Sequence, residues 1–150
     1  MKKCLTAVTL TLVLLLATFS TVGATGIHGT GKLHAWGDGL AGVRGDCEIS
    51  VTGNGVLYFR DHEGDATFSA TGFGERRDLS SGWIVCFGFN GTFEAQGTRI
   101  TVALSGYDID LRAQGTGSAI LRGNGEYEVN GQRYSWTEDG APIKLSESAP

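Results

Sequence analysis

The chain has 150 residues, 24 of them glycine, with three cysteines and a formal charge of −4. That length suits one domain with a core of its own, and does not call for the covalent staples of a much shorter scaffold. The acids are spread along the chain, which argues against nucleic acid and against an anionic membrane surface, because both need a basic footprint.

The first elements read as a targeting segment. Lys2 and Lys3 precede an apolar run from Leu5 to Phe19, and the small residues Val22, Gly23 and Ala24 follow. This is the layout of a secretory signal peptide over residues 1–24, with an uncleaved anchor helix as the alternative. Cys4 stands before the apolar run, so it does not resemble a lipoprotein acylation site. Cleavage after Ala24 would leave 126 residues and, with Lys2 and Lys3 gone, move the charge from −4 to −6. It also places the mature chain outside the cell or in the envelope, secreted or periplasmic, with no membrane association of its own.

Four consecutive octads open the mature domain, each beginning with glycine: GTGKLHAW, GDGLAGVR, GDCEISVT and GNGVLYFR, residues 29–60. Odd positions are glycine, apolar or cysteine, while most even positions are polar. Alternation with a period of two is a strand signature. The octad returns as GTGSAILR and GNGEYEVN over residues 115–130. Gly53-Asn54-Gly55 and Gly123-Asn124-Gly125 fit three-residue hairpin loops with a bulge, which keep the parity of inward positions. Alternatively, such Gly-x-Gly pairs are bends inside longer coiled strands, where missing side chains let another backbone approach.

Between the repeats, Asp61 to Asp65 reads as an acidic turn and Ala66 to Gly72 as a strand. Glu75 to Gly82 reads as the longest loop of the domain. Asn90-Gly91 predicts a two-residue hairpin between Trp83–Phe89 and Thr92–Gln96. Ile100, Val102 and Leu104 alternate in the next strand, and parity resets near Gly106. Asn130-Gly131 predicts another tight turn before Tyr134 to Trp136. From Glu138 the composition is polar, so a glycine-rich β domain over 25–137 is expected to end in a flexible tail over 138–150.

No segment carries a helical period, so the class is all-β. Roughly ten to twelve short strands favour an antiparallel meander closed into a barrel or folded as a sandwich. A β-solenoid, with octads pairing into rungs, is the alternative. The runs ALSGYDIDLRAQGTGSAILRGNGEYEVNG and GWIVCFGFNGTFEAQG resemble a group of small exported glycine-rich β proteins of no assigned activity. SGYDIDL and GTGSAIL have a weaker similarity to the repeats of adhesin head-type domains. Neither resemblance implies a catalytic residue.

The candidate chemistry is sparse. Cys47 and Cys86, both on inward-facing positions if Asn90-Gly91 is a hairpin, are expected to form a disulfide in an exported chain. Asp61, Glu63 and Asp65 alternate around Gly64 as calcium-loop carboxylates do, but the glycine and the closing acid stand at the wrong positions, so a solvated acidic turn is preferred and no metal is expected. A nucleophilic triad has no serine elbow, and Asp108 and Asp110 share one strand instead of facing each other across a cleft. Trp83, Val85, Phe87 and Phe89 would share an outer face, with Trp36 and Tyr58 also on nominally outer positions. Such rings make Trp36, Trp83, Phe87 and Phe89 candidate contacts for a polysaccharide or another protein, unless that strand is buried on both sides.

The resulting expectation is a non-enzymatic exported β domain without cofactor, an interaction or structural module of the cell surface or envelope. A carbohydrate-binding module is the second expectation, and a small hydrolase using Asp61, Glu63 or Asp108 the third. The partner is not named by these residues.

Overall fold

A computed structural model describes residues 31–145; the signal-like segment 1–24 and His28 lie outside the described residues. Six strands occur in chain order: β1 Gly31–Asp61, β2 Thr67–Thr71, β3 Glu75–Asp78, β4 Trp83–Val129, β5 Gln132–Ser135 and β6 Ile143–Lys144. The described chain is all-β, and its strands pair antiparallel in one sheet that does not close. Instead of ten to twelve short strands there are two very long ones, β1 with 31 residues and β4 with 47, and four short strands paired to β4.

The register explains how such long strands fit a small domain. Leu111 on β4 pairs with Ala35 on one side and with Val51 on the other, sixteen residues further along β1. Ala41 on β1 likewise lies between Leu104 and Leu121 of β4. Sixteen extended residues would span roughly 53 Å, yet two neighbours of one strand are only about 9.6 Å apart. β1 must therefore turn through a full coil between Ala35 and Val51, with β4 wound against it in the opposite direction.

Glycine makes the coil's corners possible. Gly39 pairs with Gly123 where both have positive φ, 133° and 130°, a region that L side chains avoid. At the next corner Gly55 faces Gly106, and a Cβ on either would overlap the backbone carbonyl opposite, that of Ser105 or Asn54. The Gly-x-Gly pairs are thus bends inside coiled strands, and the three-residue hairpin loops expected at Gly53–Gly55 and Gly123–Gly125 are absent from these positions.

At each corner of β1 a neighbouring pass of β4 gains a residue, whereas the passes at Gly123–Gly125 and Gly115–Gly117 stay two against two. Pairing runs from Gly37↔Ile109 to Gly39↔Gly106, from Gly45↔Ile100 to Cys47↔Gly97, and from Gly55↔Phe89 to Leu57↔Cys86, three residues of β4 against two of β1 each time. These are β-bulges, and each has one residue in the left-handed region: Asp108 (φ 53°), Arg99 (φ 49°) and Gly88 (φ 60°). β1 therefore keeps its inward parity throughout. β4 switches parity at every bulge, so Cys86 and Phe89 both point inward, as do Phe93, Ala95, then Ile100, Val102, Leu104, then Ile109 and Leu111. All belong to one core with Leu33, Ile49, Val51, Leu57 and Phe59 of β1.

Other expectations change accordingly. Asn90-Gly91 is no hairpin: β4 runs straight through it, with Asn90 opposite Asn54 and Gly91 opposite Gly53. Gly91 serves close approach and not a turn, since a Cβ there would overlap the Thr71 carbonyl of the neighbouring strand. Glu75–Asp78, inside the segment read as a loop, is the edge strand β3, paired with Ile84–Phe87. Asn130-Gly131 does form the tight turn from β4 to β5, with φ 50° and 83°. Of the tail expected to be loose over 138–150, residues 138–145 dock instead, with β6 paired to Ser118 and Ala119 and Leu145 fully buried, and residues 146–150 lie outside the described residues.

Candidate functional site

Outward side chains fall into two sets, because successive octads of a coil with two octads per turn occupy alternate sides. In the first set, Glu128, His34, Arg112, Ser50, Glu94 and Ser69 form one row across five neighbouring strand pairs. In the second, Arg77, Val85, Tyr58, Ala103, Gly42 and Ile120 form the corresponding row.

The first set is polar. His34 Nε2 lies 3.1 Å from Asp110 Oδ2, and Arg112 Nε–H donates to Asp110 Oδ1 at 3.4 Å. Arg133 donates to Glu128 at 2.7 Å and lies 5.4 Å above the Trp36 ring, which also touches His34 at a centroid distance of 4.7 Å. A shallow groove of about 500 Å³, lined by Lys32, His34, Glu48, Arg112 and Glu128 among others, runs along this side. Its ion pairs are exposed and charge-balanced, worth under about 1 kcal/mol each.

The second set is apolar and basic. Tyr58, Phe87 and Ile120 are 37%, 37% and 43% exposed, with Val85 buried among them. Arg60 lies 5.9 Å from the Trp83 ring centre, and Arg77 lies 5.1 Å from that of Phe87. Each guanidinium covers one face of its ring, a cation–π contact that also keeps the charge at the surface.

The four rings singled out in the sequence are therefore divided. Trp83 and Phe87 share the second side, Trp36 stands on the first, and Phe89 is in the core, 1% exposed. The bulge at Phe87-Gly88 is the reason: it reverses the strand's facing between Phe87 and Phe89. Tyr58 and Val85, already expected on outer positions, are joined on the apolar side by Ala103 and Ile120, which were missed. Their signal is the alternation of octads: the second and fourth carry Leu40 and Arg44, then Val56 and Arg60, where the first and third carry Lys32 and Trp36, then Glu48 and Thr52.

The carboxylates raised as catalytic or metal candidates are engaged with the chain itself. Asp61 Oδ1 accepts N–H bonds from Glu63 and Gly64, at 3.2 and 2.9 Å, and its Oδ2 accepts from Ala66 at 2.8 Å. Glu63 accepts from Arg99 at 2.6 Å, and Asp65 accepts the Thr98 N–H at 3.1 Å; hydrogen bonding from the Thr98 side chain first, and then from this N–H, lowers the Asp65 pKa. Asp61 thus closes the turn between β1 and β2, while Asp65 braces the bulge at Thr98-Arg99. Among the described residues no group of three or more His, Cys, Asp or Glu side chains converges as a metal site would.

Cys47 and Cys86 are both buried and both free thiols, in place of the expected disulfide. Cys86 faces Leu57 and Arg76, not Ala95, whereas Cys47 lies ten residues of β1 away from Leu57, between Gly97 and Gly115. The pairing argument depended on the Asn90-Gly91 hairpin and goes with it. Burial, then the neighbouring Asp46 charge, push the Cys47 thiol up to about 12, and burial also raises Cys86. Neither is a nucleophile at neutral pH.

Comparison with family models, with curated proteins and with solved structures gave no match.

Proposed function

We propose that this chain is an exported, non-catalytic binding domain of the cell surface or envelope, with the apolar and arginine-bearing side of the coil as its contact surface. The observation that carries this reading is the uncharged stretch Val85, Tyr58, Ala103, Gly42 and Ile120 of the cross-strand row that Arg77 begins, with Tyr58 and Ile120 open to solvent. Contiguous apolar surface of this kind on a soluble domain marks a place of contact. The resemblance to small exported glycine-rich β proteins fits the same reading, as does the signal-like start. In this reading the two sides of the coil are the layers of a flattened, sandwich-like shell, each turn giving one octad to each layer.

The test is adsorption of the purified mature domain to washed envelopes and to insoluble polysaccharides. The double variant Tyr58→Ser/Ile120→Ser, with unchanged circular dichroism, should lose that adsorption. Equal adsorption by variant and wild type would move the contact surface elsewhere.

A carbohydrate ligand is the second reading, favoured by Trp83 and Phe87 on one side. Since arginine already covers one face of each ring, neutral sugars would stack on the remaining face only. Loss of polysaccharide pull-down on Trp83→Ala, with the fold intact, is the result it requires.

A further inference from the structure

We infer that Arg44, Arg60, Thr101 and His62 form a binding site for a tetrahedral oxyanion, a sulfate or phosphate group. This deepens the reading above by naming a ligand class for the same side of the coil, and rests on it only for that location.

The site follows from one row across the sheet. Trp83, Arg60, Thr101, Arg44, Ser118 and Lys144 stand side by side on successive strands, so a cation recurs at every second position. Arg60 and Arg44 flank Thr101, about 9.6 Å apart at their backbones, two strand spacings. Arg60 rests on the Trp83 ring, its neighbour on the side away from Thr101, and an anion would have to draw it across to meet Arg44 over the small Thr101 side chain, a reach both arms have. Thr101 Oγ1 lies 3.0 Å from His62 Nε2, which places an imidazole beside the same point.

These two arginines differ from most others. Arg76, Arg77, Arg99, Arg112 and Arg133 each have a carboxylate partner within 3.4 Å. Among the described residues, Arg44 and Arg60 have none within ion-pair distance. The acids near them are already taken: Asp61 by three backbone N–H groups, Glu63 by Arg99, and Asp46 by the Arg99 N–H at 2.8 Å. Asp46 and Asp61 stay anionic, but neither holds a guanidinium of this pair, and at His62 the arginine charges outweigh that of Asp61. His62 senses it, since after its burial the charges of Arg60, Arg44 and Arg99 make protonation harder, against a smaller opposite effect of Asp61.

Paired guanidinia flank a hydroxyl that is free to donate when His62 Nε2–H donates to its oxygen, so N–H and O–H donors come from several directions, which a tetrahedral oxyanion can accept together. A bound dianion would in turn make His62 easier to protonate, because the two equilibria are linked.

The experiment is an NMR titration of the mature domain with sodium sulfate, against sodium chloride at matched ionic strength, following the amides of His62 and Thr101 and the pKa of His62. Saturable shifts at those amides, with a rise in the His62 pKa, are expected for sulfate and not for chloride. The double variant Arg44→Gln/Arg60→Gln should weaken binding by about tenfold or more. Lys32→Gln, on the opposite side, should leave it unchanged. Equal effects of the two salts, shifts centred elsewhere, or full binding by the double variant while its spectrum remains that of the folded domain would each overturn the site. A sulfated polysaccharide bound at the same amides more tightly than sulfate would identify a glycan as the source of the group. Inorganic phosphate bound at least as tightly as that polysaccharide would identify a free small anion. Tyr58→Ser/Ile120→Ser should keep sulfate binding, so failure of the apolar contact surface and failure of the oxyanion site give different results.

Discussion

The carboxylate of Asp38 accepts the backbone N–H of Asp108 at 2.8 Å, and one corner later Asp46 accepts that of Arg99 at the same distance. In both cases the second residue of a Gly-Asp corner on β1 satisfies the left-handed residue of a bulge on β4. The repeat thus encodes both sides of a corner: glycine lets β1 bend, and aspartate holds the extra residue of β4.

Asp38→Ala and Asp46→Ala should each destabilise by about 1 kcal/mol, the usual net value of such a hydrogen bond, and Asp46→Asn by less because it keeps an acceptor. Asp108→Gly should be neutral or stabilising by up to about 1 kcal/mol, since glycine removes the cost of positive φ. Urea unfolding midpoints at constant slope would check the series.

Glycines at corners and glycines in turns should respond differently. Gly55→Ala and Gly106→Ala would drive a Cβ into a backbone carbonyl and should cost more than about 3 kcal/mol, or prevent folding. Gly64, with φ 76° and nothing within 4 Å of the added carbon, should cost only about 1 kcal/mol as alanine. Thermal unfolding of the three variants would rank them.

The thiols should be silent in the folded domain. Cys47 and Cys86 should both resist alkylation at neutral pH and both react once the chain is unfolded in denaturant without reductant. A disulfide-linked pair would instead stay unreactive until reduced, and intact mass would tell the two apart.

His62 holds its proton less tightly in the fold than the ordinary histidine value of 6.5. Between its lowered value and 6.5 the unfolded chain binds more protons, so stability rises with pH through that window and is complete above it. Stability profiles from roughly pH 5 to 7 should therefore flatten in His62→Gln. Arg44→Gln should bring the His62 pKa back toward its ordinary value.

The all-strand class and the inward side of β1 were legible because parity never changes from Leu33 to Phe59. What was not legible was which strands are neighbours. Asn90-Gly91 has the chemistry of a hairpin, and nothing local says whether such a pair reverses the chain or only bends it. The misplaced partner of Cys86 and the misassigned side of Phe89 both descend from that one choice. Asp61, Asp65 and Asp108 looked like site carboxylates for a related reason. Asp61 caps the turn after β1, Asp65 braces the bulge at Thr98-Arg99 and Asp108 is itself a left-handed bulge residue, and only the winding shows these places.

The most direct measurement is the set of cross-strand NMR contacts made by Leu111 and Ala95. Leu111 should show backbone contacts to both Ala35 and Val51, and Ala95 to Ile49 and Phe68. Contacts between Ala95 and Cys86, with Leu111 touching only one of its two β1 neighbours, would mean a hairpin meander in place of the coil and would remove both surfaces derived from it.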